Sequence, residues 1–185
     1  GCDGDFFLAG GVGQYPNLGV ADAFVAVNHG STQTVVRASR PLGLDRLDTS
    51  GGPLRVEVIE GLRRVGFICE PTSGFALDVT WEGAIPAYEE PRMILAAPHG
   101  RILMDTMRFL KTGSWTGTLV LDGKTIEVTP DRFWGNRDRS WGVRPVGEPE
   151  PNGIASMGTS GFFWNYFVVR FPSSTLVYMC QEDGL

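Results

Sequence analysis

The chain has 185 residues, of which 42% are hydrophobic and 20% charged, the composition of a globular protein long enough to bury a core without cross-links. Sixteen Lys and Arg against 21 Asp and Glu give a formal net charge of −5, the wrong sign for a protein whose main partner is nucleic acid. No stretch approaches the roughly 20 apolar residues of a membrane-spanning helix, so we expect neither nucleic acid as a partner nor a membrane span.

Alternation of apolar and polar residues with a period of two recurs along the chain, and helical periodicity is nearly absent. This pattern predicts an all-β protein with very little helix. The predicted strands are residues 23–27, 33–38, 54–60, 63–69, 75–82, 101–109, 162–171 and 175–180. The Gly- and Pro-rich segments 10–19, 41–53, 85–91 and 146–160 are predicted loops.

Two strand predictions are more specific. Residues 118–121 and 124–128 flank Asp122-Gly123, a pair that favours the type I′ turn of a β-hairpin because it tolerates positive φ angles. Residues 162–169 are apolar on both faces, which predicts the most buried strand of the chain.

The cysteines and the chain ends bear on localisation and completeness. Cys2, Cys69 and Cys180 are far apart in the sequence, which indicates neither a disulfide framework nor a zinc site and favours a reducing, cytoplasmic compartment. The first residues carry no signal-peptide pattern. The missing initiator Met and the end directly after an apolar strand suggest a fragment of a longer chain.

Motifs for cofactors and metals are weak. Gly10-Gly11-Val12-Gly13 lacks the third glycine and the following helix of a dinucleotide-binding fingerprint. His29 and His99, the two histidines, lie in predicted turns, and no Walker A, HExxH or GxSxG motif occurs. We therefore expect no metal and no cofactor.

Residues 131–145 contain four arginines, two aspartates and two tryptophans, a density that a surface loop does not require. In an extended chain, one face carries Asn136, Asp138, Ser140 and Arg144, and the other carries Arg137, Arg139, Trp141 and Val143. One interpretation is a structural network of arginines around Asp138, capped by Trp141. The other is the polar end of a ligand cavity. In both, nearby cations hold Asp138 ionised.

Two further acidic sites have alternative interpretations. Asp105 lies in an otherwise apolar strand, where desolvation would raise its pKa toward that of a general acid, unless it lies on the solvated face. Glu89 and Glu90 are adjacent and point to opposite sides of an extended chain. They are predicted to lie in a solvated loop, where one of them can pair with an arginine.

The run Arg137-Asp138-Arg139-Ser140-Trp141-Gly142-Val143-Arg144-Pro145, preceded by Gly113-Ser114-Trp115-Thr116-Gly117 and by residues 54–60, resembles the AttH-like proteins. These are relatives of carotenoid 1,2-hydratase (hydroxyneurosporene synthase). The resemblance implies a lipocalin-like (calycin-type) antiparallel β-barrel or sandwich with an apolar ligand space. It implies an N-terminal β domain at residues 1–150, and a long connection with the first strands of a second β domain of the same chain at 151–185. The hydratases carry histidine where Arg139 stands, so a proton carrier is absent here.

The resulting function is open between three alternatives. The first is a metal-free hydratase, cyclase or isomerase acting on an apolar small molecule (isoprenoid, steroid-like or polyketide), with Asp138 and Asp105 as catalytic residues. Its ligand-binding residues would be Asn136, Arg137, Arg139, Trp141, Arg144 and Tyr88. The second is a non-catalytic binder of a hydrophobic ligand. The third is a purely structural β domain.

Overall fold

The computed structural model describes residues 1–97, 99–144 and 162–183, and every regular element in them is a β-strand. The all-β prediction is therefore confirmed for this part of the chain, where no helix is long and apolar enough to cross a membrane. The strands are β1 (Phe6–Tyr15), β2 (Val20–His29), β3 (Thr32–Pro41), β4 (Ser50–Gly51), β5 (Leu54–Glu60), β6 (Arg64–Thr72), β7 (Phe75–Gly83), β8 (Tyr88–Glu89), β9 (Met93–Ala96), β10 (Ile102–Leu121), β11 (Lys124–Val128), β12 (Trp134–Val143), β13 (Phe162–Arg170) and β14 (Thr175–Asp183).

The strands divide into two compact units. Unit 1 comprises Gly1–Ala84 and Gly113–Gly135, and unit 2 comprises Ile85–Thr112 and Asn136–Leu185. Neither unit begins at residue 150, and the domain boundary expected there stays a prediction. The predicted long loop at 146–160 lies outside the described residues.

Unit 1 contains an antiparallel sheet in the order β1-β2-β3, and its other strands follow the order β11-β10-β7-β6-β5-β4. Alternation places Phe75, Leu77, Val79 and Trp81 of β7 in the core, as the period of two predicts. Val25 of β2 belongs to the same buried cluster as the first three of these β7 side chains. The alternation predicted for 54–60 is only partly confirmed, because Leu54 is buried while Val58 is exposed.

The predicted hairpin at Asp122-Gly123 is confirmed. Leu121 pairs with Lys124 across the turn, and φ is 50° at Asp122 and 75° at Gly123, as a type I′ turn requires. The turn therefore follows from the local sequence alone.

The predicted loop at 10–19 is wrong over its first half, because residues up to Tyr15 continue strand β1. A Cβ atom at Gly10 would lie 2.4 Å from the Phe67 ring, so glycine at this position lets the strand approach a core side chain. The glycines that suggested a turn thus have a packing role.

Unit 2 is built around the first half of β10, which pairs with β8, β9 and β12. Strands β13 and β14 form a separate antiparallel hairpin. The prediction that 162–169 is the most buried strand is wrong, because Phe163, Trp164 and Phe167 are exposed. A two-stranded hairpin covers neither of its faces by itself, so an apolar sequence on both faces does not ensure burial.

Candidate functional site

A cavity of about 220 Å³ lies in unit 2. One wall comes from the segment at β8, which is held on β10 by the pairing of Tyr88 with Leu110 and by a 2.9 Å hydrogen bond from the Glu90 amide to the Arg108 carbonyl. The opposite wall comes from one face of the β13–β14 hairpin. The lining residues are Tyr88, Glu90, Pro91, Tyr166, Val177 and Met179.

Strand register explains why three of these side chains share one face. Tyr166 of β13 pairs directly with Met179 of β14, and directly paired residues of an antiparallel sheet project on the same side. Val177 lies two residues before Met179 and therefore projects on that side too. Farther along the same hairpin, the Thr175 hydroxyl is 2.9 Å from the Thr112 hydroxyl of β10, a second contact that fixes this face of the hairpin within unit 2.

The polar end of the cavity is the pair Glu90 and Tyr166. The Tyr166 hydroxyl donates a 2.7 Å hydrogen bond to Oε1 of Glu90. The Glu90 side chain is only 8% exposed, and the Arg108 guanidinium lies 4.0 Å from its Oε2. A carboxyl group at this depth needs such partners, because an isolated buried charge costs several kcal/mol even after relaxation.

The protonation of Tyr166 follows from this environment. Burial and the hydrogen bond to Glu90 raise the pKa of the Tyr166 hydroxyl well above its ordinary value of 10.0. Tyr166 therefore stays protonated at neutral pH and acts as a hydrogen-bond donor rather than as a base.

Arg108 connects this cavity with β12. Its Nε lies 3.6 Å from Oδ2 of Asp138, whose side chain is 56% exposed, and its guanidinium lies 5.7 Å from the centroid of the Tyr166 ring. The arginine that pairs with Asp138 thus comes from β10, whereas the sequence suggested its neighbours within the 131–145 run. Surface pairs of this kind contribute little stability.

The opposite face of β12 packs on Phe109. The Arg137 guanidinium lies 5.4 Å from the centroid of the Phe109 ring, and the Trp141 ring lies 6.5 Å from it. Burial lowers the pKa of Arg137, with a further contribution from the charge of Arg139. Phe109 of β10 thus contacts both Arg137 and Trp141, whereas the expected network of arginines around Asp138 stays a prediction.

Gly142 of the Trp-Gly pair has a steric role. Its φ is 132°, and a Cβ atom would lie 2.1 Å from the backbone carbonyl oxygen of Asp105. Only glycine lets β12 approach β10 this closely.

Asp105 does not have the environment expected from its apolar neighbours. Arg92 binds its carboxylate with two hydrogen bonds of 2.7 and 2.6 Å, and these bonds lower the pKa of Asp105. The expected rise in its pKa is therefore wrong, because a guanidinium from a neighbouring segment outweighs desolvation. Its assignment as a catalytic residue stays a prediction, but a carboxylate held in this way is a poor proton donor.

The other predicted site residues are Tyr88 on β8 and four positions on β12 or at its end. Tyr88 lines the cavity, and Asp138 is linked to it through Arg108. Three more are exposed and do not line it: Asn136, Arg139 and Arg144. Sequence reasoning missed Arg108 and Tyr166. It placed Glu90 in a solvated loop, which is wrong because the side chain is 8% exposed, but the expected pairing of one of the two glutamates with an arginine is found between Glu90 and Arg108. The available signal for Tyr166 was a single tyrosine hydroxyl within an apolar run.

The candidate metal-ligating side chains do not cluster in the part of the chain that the structure describes. Residues 1–97, 99–144 and 162–183 contain no group of three or more His, Cys, Asp or Glu side chains that could hold an ion. Cys2, Cys69 and Cys180 are free thiols, and His29 stacks on Phe6 with ring centroids 4.4 Å apart.

Comparison with known proteins gives a family without an assigned activity. No curated protein and no solved structure matches the chain, so the AttH-like resemblance finds no support there. A model described as "Family of unknown function (DUF8625)" matches residues 1–184, and the chain belongs to that family.

Proposed function

We propose that unit 2 binds a small apolar molecule that carries a hydroxyl group at one end. The observation behind this proposal is the buried carboxyl group of Glu90 in a cavity whose other walls include Pro91, Val177 and Met179. Small-molecule sites combine apolar walls with a few placed polar groups that orient the ligand. Glu90 and Tyr166 form such a polar end.

The charge around Glu90 favours a hydroxyl over an ammonium group. Arg108 already places a positive charge 4.0 Å from Oε2 of Glu90, so a second cation there would be repelled. A carboxylate offers about four lone-pair positions, and the Tyr166 hydroxyl occupies one. A ligand hydroxyl can therefore donate to Glu90 while the bond from Tyr166 persists.

The size of the cavity limits the ligand. A volume of about 220 Å³ is below the roughly 300–1,000 Å³ of pockets that enclose drug-sized ligands. We therefore expect a small alcohol, or the hydroxyl-bearing end of a longer isoprenoid whose remainder lies outside the cavity.

A second candidate function is the metal-free hydratase, cyclase or isomerase implied by the AttH-like resemblance, with a lipocalin-like fold. The antiparallel pairing of β4, β5, β6 and β7 in chain order supports such a fold. The hydrogen-bonded pair of Glu90 and Tyr166 supports proton transfer at the polar end. In this version Glu90, rather than Asp105, is the group that exchanges a proton with the substrate.

Calorimetric titration with a monoterpene alcohol and with the hydrocarbon of the same skeleton tests the binding proposal. We expect the alcohol to bind at least tenfold more tightly, because a hydrogen bond to a charged group contributes about 1.5–3 kcal/mol. In Glu90→Gln this preference is expected to shrink by about tenfold, since a neutral acceptor bonds more weakly, whereas hydrocarbon binding stays unchanged.

Two substitutions in β14 supply the matched control. Val177→Phe fills the cavity and is expected to abolish binding of both probes. Leu176→Phe places the same side chain on the opposite, exposed face of the hairpin and is expected to leave binding unchanged. Equal affinity of the wild type for alcohol and hydrocarbon, or unchanged binding in Val177→Phe, would refute the proposal.

A further inference from the structure

Strand β1 lies at an edge of the three-stranded sheet of unit 1, where it pairs with β2 on one side. Among the described residues, no further strand pairs with it on its other side, and at its first residue the Phe6 carbonyl accepts a 2.8 Å hydrogen bond from the N-terminal ammonium group of Gly1. Its ten residues include no charged side chain and no proline. An edge with these properties is a template for pairing with a further strand.

Strand β1 has one face toward the core and one face outward. Leu8 and Val12 pack against the core, and Gly10 between them faces Phe67. The alternate residues therefore project outward, and among them Phe7 is 65% exposed. A strand that adds to this edge in the correct register would continue both faces of the sheet.

The other edge of the same sheet is protected. Strand β3 carries Arg37, Arg40 and Pro41, which are residues that discourage strand addition. Arg40 also donates hydrogen bonds to the carbonyl oxygens of Ser50 and Asp48, so its side chain bridges that edge to the following segment. Gln14 of β1 bonds to the same segment, at the carbonyl oxygens of Arg46 and Asp48, so the two edges differ in the charges and the proline that β3 carries and β1 lacks.

We propose that β1 pairs in antiparallel orientation with β1 of a second copy of this chain. An antiparallel pair of identical strands satisfies two-fold symmetry, and such an interface closes after two copies. The neutral strand also offers a place where two copies with a net charge of −5 can meet without placing like charges opposite each other.

Register can be derived from the two faces and the charges. Paired residue numbers must sum to an even number, because only then do core-facing residues of both copies project to the same side. Pairing centred on Gly11 places exposed Phe7 opposite the partner's Tyr15, an aromatic cross-strand pair. It also places Asp5 opposite the partner's Asn17, so the acidic residue before β1 meets a neutral turn.

Sedimentation velocity of the 185-residue chain and of two lysine variants tests this pairing. We expect a monomer–dimer equilibrium in the wild type, and no dimer in Ala9→Lys, whose charge lies at the β1 edge. Val35→Lys is the control, because Ala9, Ala26 and Val35 form one cross-strand row and Val35 projects outward on β3. This variant is expected to dimerise like the wild type.

Several results would overturn the pairing. They are a wild type that stays monomeric up to submillimolar concentration, a wild type that forms larger open-ended species, an Ala9→Lys variant that still dimerises, or loss of the dimer in Val35→Lys as well. Urea unfolding of Ala9→Lys shows whether it folds, and if it does not, the disulfide test below decides.

A disulfide test does not require a dimer that persists during sedimentation, because the covalent bond holds the two copies together. Gly11→Cys in a Cys2→Ser background places a thiol on the symmetry axis, and a Cβ atom at Gly11 meets only the Phe24 ring, at an ordinary 3.9 Å. We expect mild oxidation to link two copies through Cys at position 11, whereas Val35→Cys in the same background stays unlinked. Equal linking of the two variants would refute the pairing.

Discussion

Tyr166→Phe is the substitution that most directly measures the polar end of the cavity. It removes one hydroxyl and leaves the ring, which stacks on Trp164 with centroids 5.3 Å apart. The lost interaction is the 2.7 Å hydrogen bond to Glu90, whose carboxyl group is then left with Arg108 at 4.0 Å. The change is therefore confined to one bond of known geometry.

The magnitude follows from the depth of the acceptor. Hydrogen bonds to charged groups contribute about 1.5–3 kcal/mol to stability. A buried acceptor that loses its donor also bears the cost of its desolvation without compensation. Because Glu90 is almost fully buried while Tyr166 is half-buried, we expect Tyr166→Phe to lower the free energy of unfolding by about 2 kcal/mol. Tyr178→Phe removes a hydroxyl from the exposed opposite face of the same hairpin and is expected to cost less than about 0.5 kcal/mol.

Alkaline pH gives an independent readout of the environment of the Tyr166 hydroxyl. The pKa of Tyr166 is higher in the folded state than its ordinary 10.0, so the unfolded state releases this proton first. The stability that comes from keeping Tyr166 protonated, through its burial and its bond to Glu90, is therefore fully present below pH 10.0 and is lost as the pH rises above it. Tyr166→Phe should make the stability less dependent on pH in this range than that of the wild type.

Urea titrations at neutral pH, followed by tryptophan fluorescence and far-ultraviolet circular dichroism, measure both variants. Unchanged m-values would confirm that the comparison concerns stability alone. The reasoning is refuted when the free energies of unfolding of Tyr166→Phe and Tyr178→Phe differ by less than about 0.5 kcal/mol. The bond to the buried carboxyl group would then contribute no more than the loss of an exposed hydroxyl.

Three further predictions concern the framework of the two units. Leu54→Ala in the core of unit 1 should cost about 2–5 kcal/mol in urea unfolding, whereas Leu44→Ala, at a fully exposed position, should change stability by less than about 0.5 kcal/mol; equal effects would contradict the assigned core. Gly142→Ala should cost at least about 1–3 kcal/mol, because its Cβ would clash with the Asp105 carbonyl oxygen; an unaffected urea midpoint would contradict that close approach. Asp105→Asn should make stability fall less steeply on acidification, since the bond from Arg92 lowers the folded pKa of Asp105 and the wild type loses that contribution as the pH falls; identical acid titrations of the two proteins would exclude the contribution.

Local sequence was sufficient to predict the elements whose conformation depends on their own residues. The Asp122-Gly123 turn follows from positive φ angles that few other residue pairs accept, and the alternation in β7 follows from one core face and one outer face. The same pattern fails at Val58, which is exposed although Leu54 on the same face of β5 is buried, because alternation does not say how far neighbouring elements cover a strand. Gly10 shows a related limit, since its neighbour in space, Phe67, lies far along the sequence.

The candidate site was only partly readable for the same reason. Tyr88 was named from the sequence, but Glu90 and Tyr166 are 76 residues apart, and no spacing rule relates them. Asp105 was misjudged because Arg92 reaches it from another segment and changes the sign of its pKa shift. Electrostatics depend on distance in space, which a single sequence does not contain.

The sequence by itself determined the all-β class and most strand positions, because the period of side-chain alternation and the turn residues are local properties of the chain. Tertiary structure decided which apolar faces are buried, as the exposed aromatic residues of β13 show. It also decided which charges meet, at Arg108 and at Asp105. Burial and ion pairing both depend on which strands become neighbours, and strand pairing joins residues that are distant in the sequence.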